Sequence, residues 1–282
     1  GILAQAIADT HPLRDRVRVL SLPDALPASE GPLTGLASAD DSRKAGAVIL
    51  GCQQAIADGA GAVIYTDADN SVHLGQIGLL LRPFFEDQTP VVLGDRKHAG
   101  SVLVKEAARW GVGIKVLRHM QRMIGHAVFS RGILDTQAAF KLYGRELLSK
   151  IIAEPTVYDF SFDTDWILAA IKSEAQIAQV PFAFIDSAAE SASITQGPMT
   201  TWETLLFGLI KAVRRHGYCT GNAAAMAAVV EEEIRDHHEL EVIIDLLPPD
   251  LENAGEADFG DPSVMSPDAL RAWLRDVLAP GD

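Results

Sequence analysis

AVIYTDAD, residues 62–69, is a short apolar run that ends in two carboxylates spaced one residue apart. An apolar run of this length predicts a buried strand of a parallel sheet. In open α/β sheets, ligands bind beyond the carboxyl ends of such strands. Asp67 and Asp69 are therefore predicted to lie where a ligand binds.

The D-x-D spacing of these two carboxylates suits a hard divalent cation. Mg²⁺ or Mn²⁺ takes one or two carboxylates from the protein, and phosphate oxygens of a bound ligand complete its coordination. We therefore expect Asp67 and Asp69 to bind Mg²⁺ or Mn²⁺ and, through the metal, a diphosphate. The alternative is a plain strand-to-loop turn, because D-x-D arises easily in a chain with 38 acidic residues.

Further motifs flank this one in a fixed order. They are Lys44-Ala45-Gly46-Ala47-Val48, Gly94-Asp95-Arg96, DTQAAFKLY from Asp135 to Tyr143, and Phe162-Asp163-Thr164-Asp165. Together with Asp67-Ala68-Asp69 they resemble the GT-A glycosyltransferases of family 2, and most closely the polyprenyl (dolichyl) phosphate glucosyl- and mannosyltransferase branch. The resemblance covers roughly residues 1 to 190, and D-T-Q-x-x-F-K-L-[FY] is its most specific part.

The resemblance implies an α/β fold, in which a Rossmann-like, mostly parallel GT-A sheet is flanked by helices. It also implies a metal-dependent inverting enzyme that transfers a hexose from a nucleoside diphosphate sugar of the UDP-glucose or GDP-mannose type. The acceptor of the closest branch is a polyprenyl phosphate, and a soluble small molecule is the alternative acceptor. The alternative to an enzyme is a catalytically silent relative that serves as a binding or assembly module.

The matched motifs imply donor-binding roles for several side chains. Lys44 would meet the ribose or a phosphate, and Gln137 a sugar hydroxyl or the metal. Arg96 is also implied at the donor. Asp69 would coordinate the metal directly, with Asp67 nearer the ribose.

Three further carboxylates are implied in catalysis. Asp135 would orient the sugar or the acceptor, or act as general base. Of Asp163 and Asp165, one would face the acceptor site and the other would cap the helix that starts there. If both only cap the helix, they carry no chemistry.

A phosphate acceptor is already anionic at neutral pH and needs cations to position it, for which arginine is well shaped. Arg118 and Arg122 lie four residues apart, on one face of a predicted helix. A solvated basic stripe is the alternative for that pair. The full set of candidates is Arg96, Arg118, Arg122, Arg131 and Lys141.

We expect two regions, a GT-A domain over residues 1–195 and a helical C-terminal extension with an acidic linker over residues 196–282. The family's first strand, first helix and acidic second strand have no counterpart before residues 2–9. We expect the sequence to continue upstream, and the alternative is an incomplete nucleotide site. The patterns predict helices over 2–9, 42–57, 74–85, 102–127, 145–152, 163–178, 201–216 and 223–238, and strands over 17–20, 62–66, 91–93 and 180–185.

A last short helix is predicted after Ser266, with Ser266 at the N-cap and Pro267 at the first helical position. Trp273, Leu274 and Val277 would form its apolar stripe. This stripe either packs within the monomer or joins copies of the chain, so a homo-oligomer through the C-terminal helices stays open.

The net charge of −14 is concentrated near the end of the chain. From Thr220 onward, 15 acidic residues stand against three arginines. A nearly neutral body with an acidic extension argues against nucleic-acid binding and against a polybasic membrane anchor. No apolar stretch approaches the roughly 18 residues of a transmembrane helix. We expect a cytoplasmic protein, with peripheral membrane association left open by the lipid-linked acceptor.

Overall fold

The computed structural model describes residues 2–42, 44–104, 111–185 and 198–279. The strands are β1 Ala62–Thr66, β2 Val91–Gly94, β3 Val102–Val104, β4 Phe140–Gly144, β5 Ile177–Val180 and β6 Ala183–Ile185. The helices are α1 Ile2–Thr10, α2 Ala45–Ala57, α3 Ile77–Glu86, α4 Ile114–Ile124, α5 His126–Phe129, α6 Arg145–Ile151, α7 Phe162–Lys172, α8 Pro198–His216, α9 Gly221–Glu233, α10 His237–Ile243, α11 Pro249–Glu252 and α12 Pro267–Val277.

The chain forms two compact units. The first combines Gly1–Val63 with Tyr143–Asp159, and the second combines Ile64–Leu142 with Phe160–Asp282. The predicted boundary between residues 195 and 196 lies outside the described residues. No described helix has both the length and the apolar character needed to cross a membrane.

The main sheet has four strands in the order β1-β4-β2-β5, and β3 pairs with β6 in a separate two-stranded sheet. Both β2–β5 and β3–β6 are parallel pairs. The two ends of β4 show that it runs against β1. Beyond one end, Arg145 N donates to Gly61 O at 2.9 Å, and at the other end Lys141 Nζ lies 5.8 Å from the centre of the Tyr65 ring. The predicted α/β class with a mostly parallel sheet is confirmed.

The start of β4 also lies beside the end of β2. A Cβ on Gly94, the last residue of β2, would lie 2.9 Å from the carbonyl oxygen of Phe140, the first residue of β4. Only glycine therefore fits where these strands approach each other. Because β1 and β2 end where β4 begins, the segments that follow Thr66 and Gly94 and the segment that precedes Phe140 share one edge of the sheet.

The predicted helix over 102–127 is wrong in its first part. Val102–Val104 forms strand β3, residues 105–110 lie outside the described residues, and α4 begins only at Ile114. Gly113 N donates to Ile244 O at 2.8 Å, and a Cβ on Gly113 would collide with the backbone of Ile243. The close approach of a distant segment, which local periodicity does not reveal, sets the start of this helix.

Two predicted strands also differ from the structure. Residues 17–20 form no strand, because Val17 and Leu20 stay exposed and the apolar alternation covers no sheet face. The strand predicted over 180–185 is two strands, β5 and β6, separated at Pro181, which lacks the N–H that a continuous ladder needs.

Two predicted helices are too long. The helix predicted over 163–178 ends at Lys172, and Glu174 adopts a positive φ of 54° before β5 begins. The helix predicted over 223–238 ends at Glu233, and α10 starts separately after Asp236, whose carboxylate accepts from His238 N at 2.8 Å. The other predicted helices and strands agree with the structure to within a few residues.

The last helix, α12, begins as the sequence predicts, with Ser266 Oγ accepting from Ala269 N at 3.2 Å. It packs against α9, and Leu270 and Leu274 are fully buried. Packing within the chain is thus confirmed for Leu274. Arg275 Nε adds an ion pair to Glu233 of α9, at 2.8 Å from Oε1.

Leu274→Ala is expected to lower the free energy of unfolding by about 2–5 kcal/mol, because it removes a fully buried side chain and leaves a cavity. Urea unfolding followed by circular dichroism measures the effect. Leu74→Ala is the matched control, because Leu74 is 63% exposed. Equal stability of the two variants would show that α12 does not pack on α9.

Candidate functional site

The carboxylates of the D-x-D motif lie in a tight turn directly after β1. Asp69 is exposed and Asp67 is half-buried. Asp69 Oδ1 accepts from Ser71 N at 2.9 Å, and Asn70 takes a positive φ of 62°. His73 ends the turn by accepting from Gly75 N at 3.0 Å, which caps the short turn before α3. The turn fixes the backbone and presents two carboxylates at the edge of the sheet.

Arg96 and Asp135 form a bidentate ion pair at the same edge. Arg96 follows β2, and its Nε and Nη2 each donate to Asp135 at 2.7 Å. The backbone N–H of Arg96 donates to Asp135 Oδ2 at 2.9 Å. Arg96 also lies over the ring of Phe184 at 5.0 Å. Three hydrogen bonds and a stacked guanidinium therefore hold the Asp135 carboxylate in one orientation.

Asp135 is buried, and its environment favours the ionised form. Burial alone would raise the pKa of Asp135, but the hydrogen bonds and the charge of Arg96 outweigh it, with a further contribution from Lys141. The pKa of Asp135 is therefore below its usual value. A carboxylate in this state orients a ligand better than it accepts a proton.

Asp163 lies at the centre of a buried cluster below this edge. Its Oδ1 accepts from Tyr65 Oη at 2.5 Å and from Lys141 Nζ at 2.6 Å. Lys141 is fully buried and also donates to the Ala138 carbonyl. The pair thus joins α7 to β1 and β4. In this structure Lys141 contacts Asp163 and the backbone, and its role at the acceptor stays a prediction.

Asp165 is directed toward α8 and not toward the sheet. Its Oδ2 accepts from Arg215 Nη1 at 2.9 Å, and its Oδ1 lies 2.9 Å from His216 Nε2. Ser161 occupies the N-cap of α7, and no side-chain hydrogen bond caps this helix. The expectation that Asp163 or Asp165 caps α7 is therefore wrong, because strong cationic partners bind both carboxylates inside the unit.

The remaining predicted donor and acceptor residues lie in different places. Gln137 Nε2 donates to Thr164 Oγ1 at 3.0 Å, at the start of α7. Arg131 is exposed and donates to the carbonyl of Ala127. Lys44 belongs to the first unit, at the N-cap position of α2. Their contacts with a donor or acceptor stay predictions.

Arg118 and Arg122, both on α4, share one partner, the carboxylate of Glu256. Arg118 Nη1 lies 2.5 Å from Glu256 Oε1, and Arg122 Nη2 binds Oε2. Arg122 Nη1 also donates to the backbone carbonyl of Glu256. The two arginines therefore face a common anion, as their spacing on one helical face predicts.

Several residues that complete these clusters were not predicted from the sequence. Tyr65, Arg215, His216 and Glu256 each bind a predicted site residue from a distant part of the chain. Only Tyr65 could have been identified from the sequence, because it is the penultimate residue of the strand that leads into the D-x-D motif. The other three gain their partners through packing of the C-terminal helices.

One group of three metal-type side chains occurs among the described residues, made of Asp236, His237 and His238. It lies at the first turn of α10, where Asp236 already accepts from His238 N as the helix cap. His237 Nδ1 lies 3.6 Å from Glu203 Oε2. A cation here would meet the positive end of the helix dipole, which disfavours binding.

The solved structures that match the chain include crystal structures of one synthase. No family model matches the chain. Glucosyl-3-phosphoglycerate synthase from Mycobacterium tuberculosis in complex with phosphoglyceric acid matches with a TM-score of 0.49 and 14% identity, covering 74% of this chain and 65% of that chain. The same synthase with Mn²⁺, UDP-glucose and phosphoglyceric acid gives a TM-score of 0.47 and 15% identity, with 75% and 66% covered. The chain thus spans less than two thirds of the synthase.

Lys141→Met is expected to lower the free energy of unfolding by about 3–5 kcal/mol, because it leaves the Asp163 carboxylate buried without its cation. Urea unfolding measures the loss. Lys172→Met is the control, since Lys172 is exposed near the end of α7, and we expect little change there. If the charge of Lys141 were not needed by the buried cluster, the free energy of unfolding would fall equally little in both variants.

Asp135→Asn is expected to destabilise the protein at neutral pH and to lose this effect in acid. Because the pKa of Asp135 is lowered in the folded state, its stabilisation is present above the unfolded pKa and disappears as the pH falls through the folded pKa. Unfolding of the wild type and the variant from pH 7 to pH 3 tests this. A difference in stability that does not change with pH would contradict the assigned ionisation.

Proposed function

We propose that the protein is a glycosyltransferase of the GT-A type that takes a hexose from a nucleoside diphosphate sugar. The observation that carries this proposal is the sheet edge at which β1, β2 and β4 meet. Asp67 and Asp69 follow β1, Arg96 follows β2, and Asp135 precedes β4. Three segments that are distant in sequence thus supply the motif residues to one edge, where open α/β sheets bind ligands.

The donor set of the D-x-D turn fits a divalent metal. Two carboxylates in a fixed turn suit Mg²⁺ or Mn²⁺, which keeps further positions for water or phosphate oxygens. When bound, the cation would neutralise the charge that develops on the leaving diphosphate. Asp69, the more exposed of the two, would be the direct ligand, with Asp67 beside it.

Asp135 would position the reacting groups. Its carboxylate is ionised and held by three hydrogen bonds from Arg96, so its direction does not depend on the ligand. Such preorganised charge contributes to catalysis without reorganisation at the moment of reaction. A phosphate acceptor needs no proton removed, which agrees with a carboxylate of lowered pKa.

The acceptor is proposed to carry a phosphate group. Arg118 and Arg122 point to a common anion, and Arg122 also lines an open cavity of about 1070 Å³ together with Arg131. Two guanidinium groups that share one anion match the geometry of phosphate recognition. Both a polyprenyl phosphate and a soluble phosphate ester fit this chemistry.

Asp69→Asn is expected to abolish metal-dependent binding of the sugar nucleotide while leaving the fold intact. Calorimetric titration with UDP-glucose and with GDP-mannose, each with and without Mn²⁺, measures this and identifies the nucleotide. Asp268→Asn is the matched control, because the Asp268 side chain is 94% exposed in the C-terminal helix α12. The control should bind the donor as the wild type does.

Failure of the wild type to bind either donor in the presence of Mn²⁺ would refute the glycosyltransferase proposal. The binding or assembly module, which the sequence leaves open, would then be the better account of the fold. Donor binding that survives in Asp69→Asn would refute the role of the D-x-D turn alone.

A further inference from the structure

The anion that pairs with Arg122 comes from an exposed part of the chain. The side chain of Arg122 is only 7% exposed, whereas that of Glu256 is 55% exposed. One carboxylate serves both Arg118 and Arg122, in the forked arrangement that a phosphate group would adopt. Glu256 belongs to a segment, residues 251–265, that we call the C-terminal strap. The buried Arg122 is therefore paired with a carboxylate that solvent can reach.

The strap is fixed to α4 on both sides of its glutamate. Lys115 Nζ donates to the Glu252 carbonyl at 2.6 Å. On the other side, His119 Nδ1 accepts from Gly260 N at 3.1 Å, and His119 Nε2 lies 2.8 Å from the Met265 carbonyl. These contacts use the backbone of the strap. The strap is therefore held to α4 by contacts that do not involve the glutamate side chain.

Close packing reinforces this docking. Gly260 has a φ of +87°, and a Cβ there would lie 2.8 Å from Cβ of Arg122. Phe259 is buried and lies beneath the Arg122 guanidinium, 5.6 Å from ring centre to Cζ. Between the anchors, Gly255 and Asp258 close an exposed turn by a backbone bond of 3.1 Å. The glutamate therefore projects from a short surface turn whose ends are held.

There is room for a ligand beside this ion pair. Arg122 and Glu256 both line the open cavity of about 1070 Å³, together with Arg131 and the apolar side chains of Met123 and Phe129. A ligand with an anionic group would place that group at the arginines and its remaining part in the cavity. A lining that combines arginines with apolar side chains fits a phosphate ester.

This ion pair lies near the candidate catalytic edge. Lys97 follows Arg96, and the interactions of its charge reach both Asp135 and the Arg118–Arg122–Glu256 group. Burial and the arginines lower the pKa of Lys97, while the two carboxylates oppose that shift. Lys97 is thus within electrostatic range of both the Asp135 carboxylate and the Arg118–Arg122–Glu256 group.

We propose that Glu256 is a built-in competitor of the acceptor, whose phosphate group binds Arg118 and Arg122 by displacing the Glu256 carboxylate. The identity of this anion as the acceptor rests on the proposed function, but the exchange of anions requires no turnover. The ligand class is a phosphate monoester, carried either by a soluble molecule or by a polyprenyl chain. The competitor sets a threshold for acceptor binding, because a tethered carboxylate has a high local concentration.

The test compares the binding of inorganic phosphate by the full chain and by Glu256→Gln. Removing a tethered competitor is expected to lower the dissociation constant about tenfold or more. Calorimetry at constant ionic strength, balanced with chloride, measures it. Glu252→Gln is the matched control, because Glu252 contacts α4 through its backbone carbonyl, and it should bind phosphate as the wild type does. Adding Arg122→Met to Glu256→Gln should remove the gain.

A second variant covers the case in which Glu256→Gln does not fold. Glu256→Asp keeps the charge but is too short to reach both arginines, so we expect phosphate affinity above that of the wild type. Phosphate should also raise the melting temperature of either variant more than that of the wild type. Phosphate binding no tighter in the folded variants than in the wild type would overturn the proposal, because the ion pair would then be purely structural.

Two further arms distinguish the source of the phosphate. Glycerol phosphate tests a soluble ester, and vesicles that contain a polyprenyl phosphate test a lipid, each with the wild type and Glu256→Gln. Tighter binding by Glu256→Gln than by the wild type in either arm supports the proposal and identifies the source of the phosphate. Equal binding by the two proteins in each of the arms overturns it. Donor titration with Mn²⁺ is measured separately, so that failure of the glycosyltransferase proposal is not confused with failure of the anion exchange.

Discussion

A single buried carboxylate oxygen joins three elements of the second unit. Asp163 Oδ1, on α7, accepts from Tyr65 on β1 and from Lys141 on β4. A fully buried lysine is tolerated only if its charge is paired and its protons are bonded, and this oxygen together with the Ala138 carbonyl provides both. The cluster therefore ties the end of β1 and the start of β4 to α7, at the edge of the sheet from which the D-x-D turn extends.

The aromatic residues around the cluster exclude water from it. Phe162 and Trp166 of α7 pack against Tyr65 of β1, with ring centres 5.8 Å from that of Tyr65 in both cases. Exclusion of water strengthens the ion pair and makes an unpaired charge more costly. The D-x-D turn begins two residues after Tyr65, so its place at the sheet edge follows from the same packing. The FDTD motif thus contributes to the candidate site first by fixing the sheet beneath it.

The predictions that succeeded from sequence are those that depend on neighbouring residues. An apolar run that ends in carboxylates, a serine followed by proline, and two arginines four residues apart each define a local geometry that the structure retains. The partners of Asp163 and Asp165 were not predictable in this way. Arg215 and His216 lie about 50 residues after Asp165, and only the packing of α8 against α7 brings them together. Local periodicity likewise predicted one helix over 102–127. The close approach of Ile243 and Ile244 to Gly113, which sets the start of α4, cannot be recognised from the residues of that segment.

Many of the acidic residues near the end of the chain form ion pairs, which a count of charges does not reveal. Much of the negative charge after Thr220 is paired within the unit, as Glu231 is with Arg214 and Glu233 with Arg275. Most of these pairs lie at the surface, where screening by water keeps their contribution small. Glu256 differs, because it is the anion of a buried arginine and its replacement leaves that charge unpaired unless another anion enters. A buried arginine needs an anion as its partner, because an unpaired buried charge is costly. The docked strap supplies that anion from a side chain that solvent can reach.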